Sequence, residues 1–393
     1  MKGRVAFVPP RYGTKVLGGA ETVCREAAEG LVGRGWDIEV LTTCAVDHFG
    51  WGNELPEGAT VEAGVKVRRF PVFHDRTRPA LRAQLSIQDG VVPPLDAQYS
   101  WLSFFFQVPG LYHELVRHGD RYDAVVFAPY MFWTTTVAMP AVAERAVVMP
   151  CLHDETYARL DVMRPVLAEP ASVWFLSEPE HQLAHRLGPV AARHEVVGAG
   201  LHVPAAYDPE GFRRRHGIER PFLLYAGRRE PDKGWPALLE IFGRSLAVDD
   251  HGVDLVTIGV GDADIPPSLA GRVIDLGFLP SEERDNAAAA ALAYAQPSRM
   301  ESFSRSIMEA WLAGTPVLAI ARSEVVGWHC ERSGGGVTFA DEYDLGETLR
   351  WLAASPAEAA AMAERGRRYV LDNYRWPVVL DRIEADLDGM RRG

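Results

Sequence analysis

Three consecutive stretches, "RVAFVPP" (residues 4–10), "GGAETVCREAAEGLVGRGW" (18–36) and "DIEVLTTC" (37–44), carry the first structural unit of the chain. A short apolar run ends at two prolines. Two glycines then open a segment whose apolar residues recur at helical spacing and which closes on another glycine, and a second apolar run follows at once. The pattern is strand, glycine loop, helix, strand, the opening unit of a parallel α/β sheet. It recurs in "FLLYAGRREPDKGWPALLEIFGRSLA" (222–247) and in the next strand and turn, "VDLVTIGVGD" (253–262). Between the two units, "HEVVGAGLHVPAAYDPEGFRRRHGIERP" (194–221) is broken by Gly, Pro and polar residues, as a hinge region is. The expectation is an α/β protein of two Rossmann-like domains, 1–198 and 199–374. The final segment, 375–393, has Val378, Val379, Ile383 and Leu387 at helical spacing and is expected to pack back on the first domain.

Length and composition agree with this division. At 393 residues the chain exceeds one ordinary core, and 47% hydrophobic with 24% charged residues is the balance of a globular protein. A net charge of −12 offers no platform for nucleic acid. Cys24, Cys44, Cys151 and Cys330 are far apart with no C-x-x-C pair, which argues against a zinc scaffold or disulfide framework and fits a reducing cytoplasm. Residues 124–143, "AVVFAPYMFWTTTVAMPAVA", are uncharged for the length of a membrane span. Pro129, Pro140 and three threonines divide them instead into a buried strand, a loop and a helix start, so no transmembrane segment is expected. Residues 75–115 interrupt the alternation, with Trp101, Phe104, Phe105, Phe106 and Tyr112 close together. Such a cluster is core, or it contacts an acceptor or a lipid surface, and peripheral membrane contact and oligomeric state stay open.

The loop "YAGRREPDKGW" (225–235) leaves a strand and enters a helix, the place where open α/β sheets bind ligands. Arg228 supplies a fork of donors and Lys233, the one lysine of the second half, a point charge, a combination suited to a diphosphate. A solvated charged loop is the plainer account, but the solitary Lys233 and the strand-end location outweigh it. In "PSRMESFSRSIMEAWLAGTPVLA" (297–319), Glu301 and Glu309 would stand about 80° apart on one continuous helix, so they are no helical dyad. Ser306 and Glu309 have capping-box spacing. With Ser302 or Ser304 as the cap instead, the first-turn amides would point at an anion and Glu301 would belong to the loop.

"ESFSRSIME" (301–309), preceded by Pro297-Ser298 and followed by "AWLAGTPVLA", resembles the E-x7-E signature of retaining, nucleotide-sugar-dependent glycosyltransferases of the GT-B fold, the group-one family. "GRREPDKG" (227–234) resembles that family's G-R-x-x-x-x-K-G loop, "GGAE" (18–21) its first-domain glycine loop, and "CLHDE" (151–155) the position of its active-site histidine. The resemblance implies two Rossmann-like domains facing each other across a cleft, the first binding a hydroxyl acceptor (polysaccharide, lipid-linked or secondary-metabolite) and the second a nucleotide-sugar donor of UDP or GDP type. It implies that Arg228 and Lys233 neutralise the diphosphate, that Glu301 bonds sugar hydroxyls, and that Glu309 holds the ribose. The backbone from Ser302 through Phe303, Ser304 and Arg305 to Ser306 would contact sugar and phosphate. Gly18 and Gly19 would let their loop approach the phosphates, and His153 would approach the sugar. No cofactor and no metal are implied. "HDE" (153–155) could also suggest metal ligands, but adjacent residues rarely converge on one ion. Ser304 stands where the family commonly has glycine, and Arg305 adds bulk and charge beside it. An epimerase of the same fold or a non-catalytic nucleotide-sugar-binding protein remain alternatives. A dinucleotide is disfavoured, since neither "GGAE" nor "GVGD" is G-x-G-x-x-G with an acid about twenty residues on.

Overall fold

The computed structural model describes residues 2–16, 18–74 and 77–392. Asp75 and Arg76, which open the 75–115 stretch, Gly393 of the C-terminal segment, Met1 and Leu17 lie outside the described residues. The chain divides into one unit of Met1–Gly200 with Trp376–Gly393 and a second of Leu201–Arg375, so the boundaries fall two residues beyond 198 and one beyond 374.

The first unit is built on an eight-stranded sheet, β1 (Arg4–Val8), β2 (Asp37–Thr43), β3 (Gly58–Glu62), β4 (Val65–Phe70), β5 (Ala124–Phe127), β6 (Ala146–Val148), β7 (Ser172–Phe175) and β8 (His194–Val196). Their order is β3-β4-β2-β1-β5-β6-β7-β8, all parallel except the β3–β4 hairpin. The central strands are buried along their whole length, as parallel strands covered on both faces must be. The chain moves outward from β1 through β2 and then returns to β5 on the other side, so the loop after β1 sits at the topological switch point. That loop leads into α1 (Gly19–Gly33), and α2 (Glu178–Leu187) connects β7 to the edge strand β8.

The second unit repeats the plan with six parallel strands, β9 (Phe222–Ala226), β10 (Asp254–Ile258), β11 (Val273–Asp275), β12 (Ala293–Gln296), β13 (Val317–Ile320) and β14 (Gly336–Phe339), in the order β11-β10-β9-β12-β13-β14. Its switch point lies between β9 and β12. From those two strands emerge the loops that precede α3 (Trp235–Val248) and, after α4 (Ser281–Ala290), α5 (Arg305–Leu312).

The C-terminal helix α6 (Trp376–Arg392) packs on the first unit. Its buried face is Trp376, Val379, Leu380, Ile383, Asp386 and Leu387, with Leu380 taking the place expected for Val378. A Cβ on Gly30 of α1 would stand 2.7 Å from Leu380 Cδ1, so a glycine lets the two helices meet. The Asp386 carboxylate, 1% exposed, accepts from Ser172 Oγ (2.8 Å), Trp174 Nε1 (2.7 Å) and Arg193 Nη1 (3.1 Å). Glu384 accepts from Lys2 Nζ (2.6 Å), Trp36 Nε1 (2.7 Å) and Arg34 Nη1 (2.6 Å).

Among the described residues no helix is long and apolar enough to cross a membrane. The uncharged run 124–143 is β5, a loop and the short helix Trp133–Thr136, followed by a turn of 3-10 helix. Of the aromatic cluster, Trp101 and Phe106 are core, Trp101 Nε1 donating to Gln84 Oε1 (2.6 Å) and Phe106 packing 4.2 Å from Trp51. Phe104 and Phe105 lean on that core, and Tyr112 is exposed.

Candidate active site

In the second domain the loop after β9 is pinned before it turns. Tyr225 OH donates to Arg228 O (2.6 Å) and Tyr294 OH, from β12, donates to Ala226 O (2.9 Å). The adjacent arginines then separate by role. Arg229 is buried, donating to Gly261 O (2.7 Å) and Thr257 Oγ1 (3.2 Å) and pairing with Asp275, so it ties the loop to β10 and β11. Arg228 is 42% exposed and pairs with Glu230 at 3.1 Å, leaving its guanidinium at the surface of the loop. Gly234 has φ +76°, and a Cβ there would fall 2.7 Å from the carbonyl carbon of Pro297. Glycine therefore lets this loop lie against the one leaving β12.

That approach brings Lys233 to Glu301. The ammonium stands 2.9 Å from Glu301 Oε1, with the two side chains 31% and 13% exposed. Residues assigned to a phosphate and to a sugar are thus neighbours across the switch point, as one small ligand would need. Arg228, on the same loop as Lys233, pairs with Glu230.

The loop from Pro297 to Ser304 is clamped by Gln296, a buried residue at the end of β12. Its Oε1 accepts from Ser298 N–H (3.2 Å) and its Nε2 donates to Ser304 Oγ (2.7 Å) and Ser306 Oγ (3.0 Å). Ser304 is the N-cap residue of α5, and its φ of 68° and ψ of 74° lie in the left-handed region. Glycine adopts that region freely, whereas a residue with a Cβ there is held against a cost of roughly 1–2 kcal/mol. Because its hydroxyl is taken up by Gln296, Ser304 makes no side-chain capping bond among the described residues, and the first-turn amides of α5 are left to another acceptor. Of the alternatives the spacing allowed, the same geometry selects Ser304 as the cap and excludes the Ser306–Glu309 capping box. Ser306 is the second residue of α5, two positions too late to be its cap. Ser302 and Phe303 are buried, and the Phe303 ring packs edge-on against Tyr374 (4.9 Å) and His329 (5.3 Å), so its side chain is committed to the core.

Glu309 lies inside α5, near Arg305 (4.0 Å), and both line a cavity of about 300 Å³ with His202, Arg284, Asp285 and Leu312. Burial, and then the Glu309 charge, push the Asp285 carboxyl up to about 6. The two glutamates thus belong to separate polar clusters, Glu301 with Lys233 and Glu309 with Arg305.

In the first domain Gly18 is the N-cap of α1. A Cβ on Gly18 would clash with the Glu21 carboxylate, coming 2.8 Å from its Cδ and 3.3 Å from Arg11 Nη2. Glu21 and Arg11 form a buried ion pair at 2.5 Å, and Arg11 also donates to Val46 O (2.9 Å). Internal packing therefore already favours glycine at 18, since a Cβ there would have to displace the Glu21 carboxylate from its pairing with Arg11. At Gly19, by contrast, nothing among the described residues lies within 4 Å of where a Cβ would stand, so the first turn of α1 is clear.

His153, 31% exposed, follows β6, with Nδ1 3.8 Å from Glu155 Oε1. Glu155 in turn accepts from Tyr130 OH (2.9 Å). The backbone before His153 is held by Glu180, whose oxygens accept from Leu152 N–H and Leu176 N–H, each at 2.5 Å. Burial pushes the Glu180 carboxyl up to about 8, against the opposing pull of the Leu176, Leu152 and Ser177 amides. Gln296, Arg11 and Glu180 escape a motif reading. Glu180 alone left a trace, the Ser177-x-x-Glu180 spacing at the start of α2, and Ser177 Oγ does accept from Glu180 N–H (3.3 Å).

Residues 209–369 match the family described as Glycosyl transferases group 1. Over 94% of its length the chain is 27% identical to the D-inositol 3-phosphate glycosyltransferase of Saccharomonospora viridis, covering 89% of that protein. It is 28% identical over 200 residues, 44% of this chain, to the 2-deoxystreptamine glucosyltransferase of Streptomyces kanamyceticus, a match that spans half the length of that relative. In architecture it is similar to HepE of Anabaena, solved with UDP (TM-score 0.73) and with UDP-glucose (0.68), at 18% identity over 98% of this chain and 100% of that one. Residues 209–369, the domain that carries Lys233 and Glu301, thus match the group 1 glycosyltransferases, on a chain whose two parallel α/β sheets have the GT-B architecture.

Proposed function

We propose that the protein is a retaining glycosyltransferase that moves a hexose or modified sugar from a UDP- or GDP-linked donor to a hydroxyl acceptor, without a metal ion and in the cytoplasm. The observation that carries the reading is the Lys233–Glu301 contact of 2.9 Å at the switch point of the second sheet, next to the helix start whose cap hydroxyl is engaged elsewhere. Cleaving an anomeric carbon–oxygen bond to a diphosphate builds negative charge on the leaving group and positive charge on the sugar. Lys233, Arg228 and the first-turn amides of α5 meet the negative charge, taking the part that a metal ion plays elsewhere. Glu301 accepts from sugar hydroxyls once the Lys233 ammonium turns to phosphate, and Glu309 accepts from the ribose. The backbone of Ser302 to Ser306 lines the path between them. The first domain contributes acceptor binding, His153 and the clear first turn of α1 at Gly18 and Gly19. The relatives named for glycosyl transfer, and HepE's complex with UDP-glucose, support the donor class.

The test is turnover with a panel of UDP- and GDP-sugars in the presence of EDTA, read as nucleoside-diphosphate release, with the anomeric configuration of the product read by NMR. Lys233→Ala and Glu301→Ala are each expected to lose roughly 10²–10³ in kcat while the chain stays folded. A chain whose melting temperature responds to no nucleotide sugar refutes the donor, and a product of inverted configuration refutes retention.

A further inference from the structure

The first domain carries a histidine cluster that none of the assignments above uses. His181 and His185 stand one turn apart on α2, and His194 is the first residue of the edge strand β8. One ring nitrogen from each lies within 4.8 Å of the other two. His181 Nε2 and His185 Nε2 are 3.0 Å apart, and the His181 and His194 rings face each other with centroids 4.8 Å apart and planes 32° from parallel. Phe175 backs both of those rings.

The outward nitrogens have acceptors of their own. His181 Nδ1 is 3.4 Å from Glu178 Oε1, and His194 Nδ1 is 3.0 Å from Ala191 O. A neutral ring that donates from Nδ1 presents Nε2 as a lone pair. With that tautomer the His181 Nε2 lone pair faces His185 Nε2 across 3.0 Å, and a cation at the cluster would replace the proton those two nitrogens share.

We propose that His181, His185 and His194 bind one divalent transition-metal ion of the zinc type at the edge of the first sheet, with Glu178 and the Ala191 carbonyl orienting two of the ligands. Zinc with nitrogen ligands at about 2.0–2.1 Å needs those nitrogens roughly 3.3 Å apart in tetrahedral geometry. One pair is already that close, and rotation of side chains brings in the third ring. An all-imidazole set selects Zn²⁺, Ni²⁺ or Cu²⁺ over Mg²⁺ and Ca²⁺. His185 is exposed, which leaves the fourth position to water. The bound ion would staple α2 to β8 across the 188–193 connection. This does not rest on the glycosyltransferase reading, since none of the three histidines has a part in it.

The full chain without a purification tag, stripped with EDTA and dialysed, would be titrated calorimetrically with ZnCl₂ and in parallel with MgCl₂. One Zn²⁺ per chain is expected, with a rise in melting temperature that MgCl₂ does not produce. His185→Gln, at an exposed position, and His194→Gln should each weaken Zn²⁺ binding by at least about tenfold, and Glu178→Gln by roughly tenfold at unchanged stoichiometry. Metal-free circular dichroism matching the parent chain assigns those losses to the ligands rather than to the fold. A folded parent chain that takes up no Zn²⁺, or Zn²⁺ binding that His185→Gln and His194→Gln leave intact, overturns the site.

Discussion

The loop after β1 and the loop after β12 occupy equivalent places, each at the switch point of a parallel sheet and each leading into a helix, yet they treat glycine in opposite ways. In the first, Gly18 is favoured from inside, because the buried Arg11–Glu21 pair fills the space a side chain would need. In the second, a position with φ of 68° that suits glycine is filled by Ser304, and the Gln296 amide holds the serine in place. A glycine in a ligand-binding loop is thus weak testimony for a ligand until its neighbours are known, and a missing glycine is weak testimony against one.

The contrast can be broken most forcefully at Gly18. Gly18→Ala should destabilise the chain by about 3 kcal/mol, read by urea unfolding, since the new Cβ must dislodge one member of a buried ion pair. Gly19→Ala, at the clear position, should change stability by less than about 0.5 kcal/mol while raising KM for the donor. Equal losses of stability at the two sites would contradict the internal role given to Gly18. Gln296→Leu comes next, at about 2 kcal/mol, because the Ser298 amide and two serine hydroxyls lose a buried partner. Ser304→Gly should raise stability by about 1 kcal/mol through relief of the left-handed backbone. A fall in melting temperature for that variant would mean that the bond to Gln296 outweighs the strain. The smallest effect is expected at Asp285. With its native carboxyl near 6 against an ordinary 3.8, the folded state holds the proton more tightly, so stability declines as pH rises between those values. Asp285→Asn should flatten that slope, a change under about 1 kcal/mol given the partial exposure of the group.

The two sheets were legible because fully buried parallel strands are written as unbroken apolar runs, as in Ala124–Phe127 and Phe222–Ala226. Lys233 drew notice as a solitary charge at a strand end and Glu301 only through the resemblance of its motif to a known family, and the 2.9 Å contact between them was not written in either signal. What local spacing could not reveal was any contact formed across many residues. Ser306 and Glu309 have the spacing of a capping box, but Gln296, eight residues before Ser304, decides where the helix begins. Leu152 and Glu180 meet only because β6 and β7 are adjacent. Among consecutive phenylalanines, periodicity cannot say that Phe106 is buried while Phe104 is half-buried, since that depends on the position of Trp51. The histidines of α2 were overlooked because the third ring arrives from the next strand.

The C-terminal helix makes the second domain an insertion, with the chain leaving the first domain at Gly200 and re-entering at Trp376. Beside these crossings Leu201 N–H donates to Tyr374 O at 2.7 Å, so the outgoing and returning chain run side by side. During synthesis, a nascent chain ending at Arg375 would hold every strand of both sheets, while Ser172, Trp174 and Arg193 still lacked the carboxylate to which they donate. The domain that is begun first is therefore completed last, and a nonsense codon between Trp376 and Asp386 would strip β7 and the approach to β8 of the carboxylate that joins them.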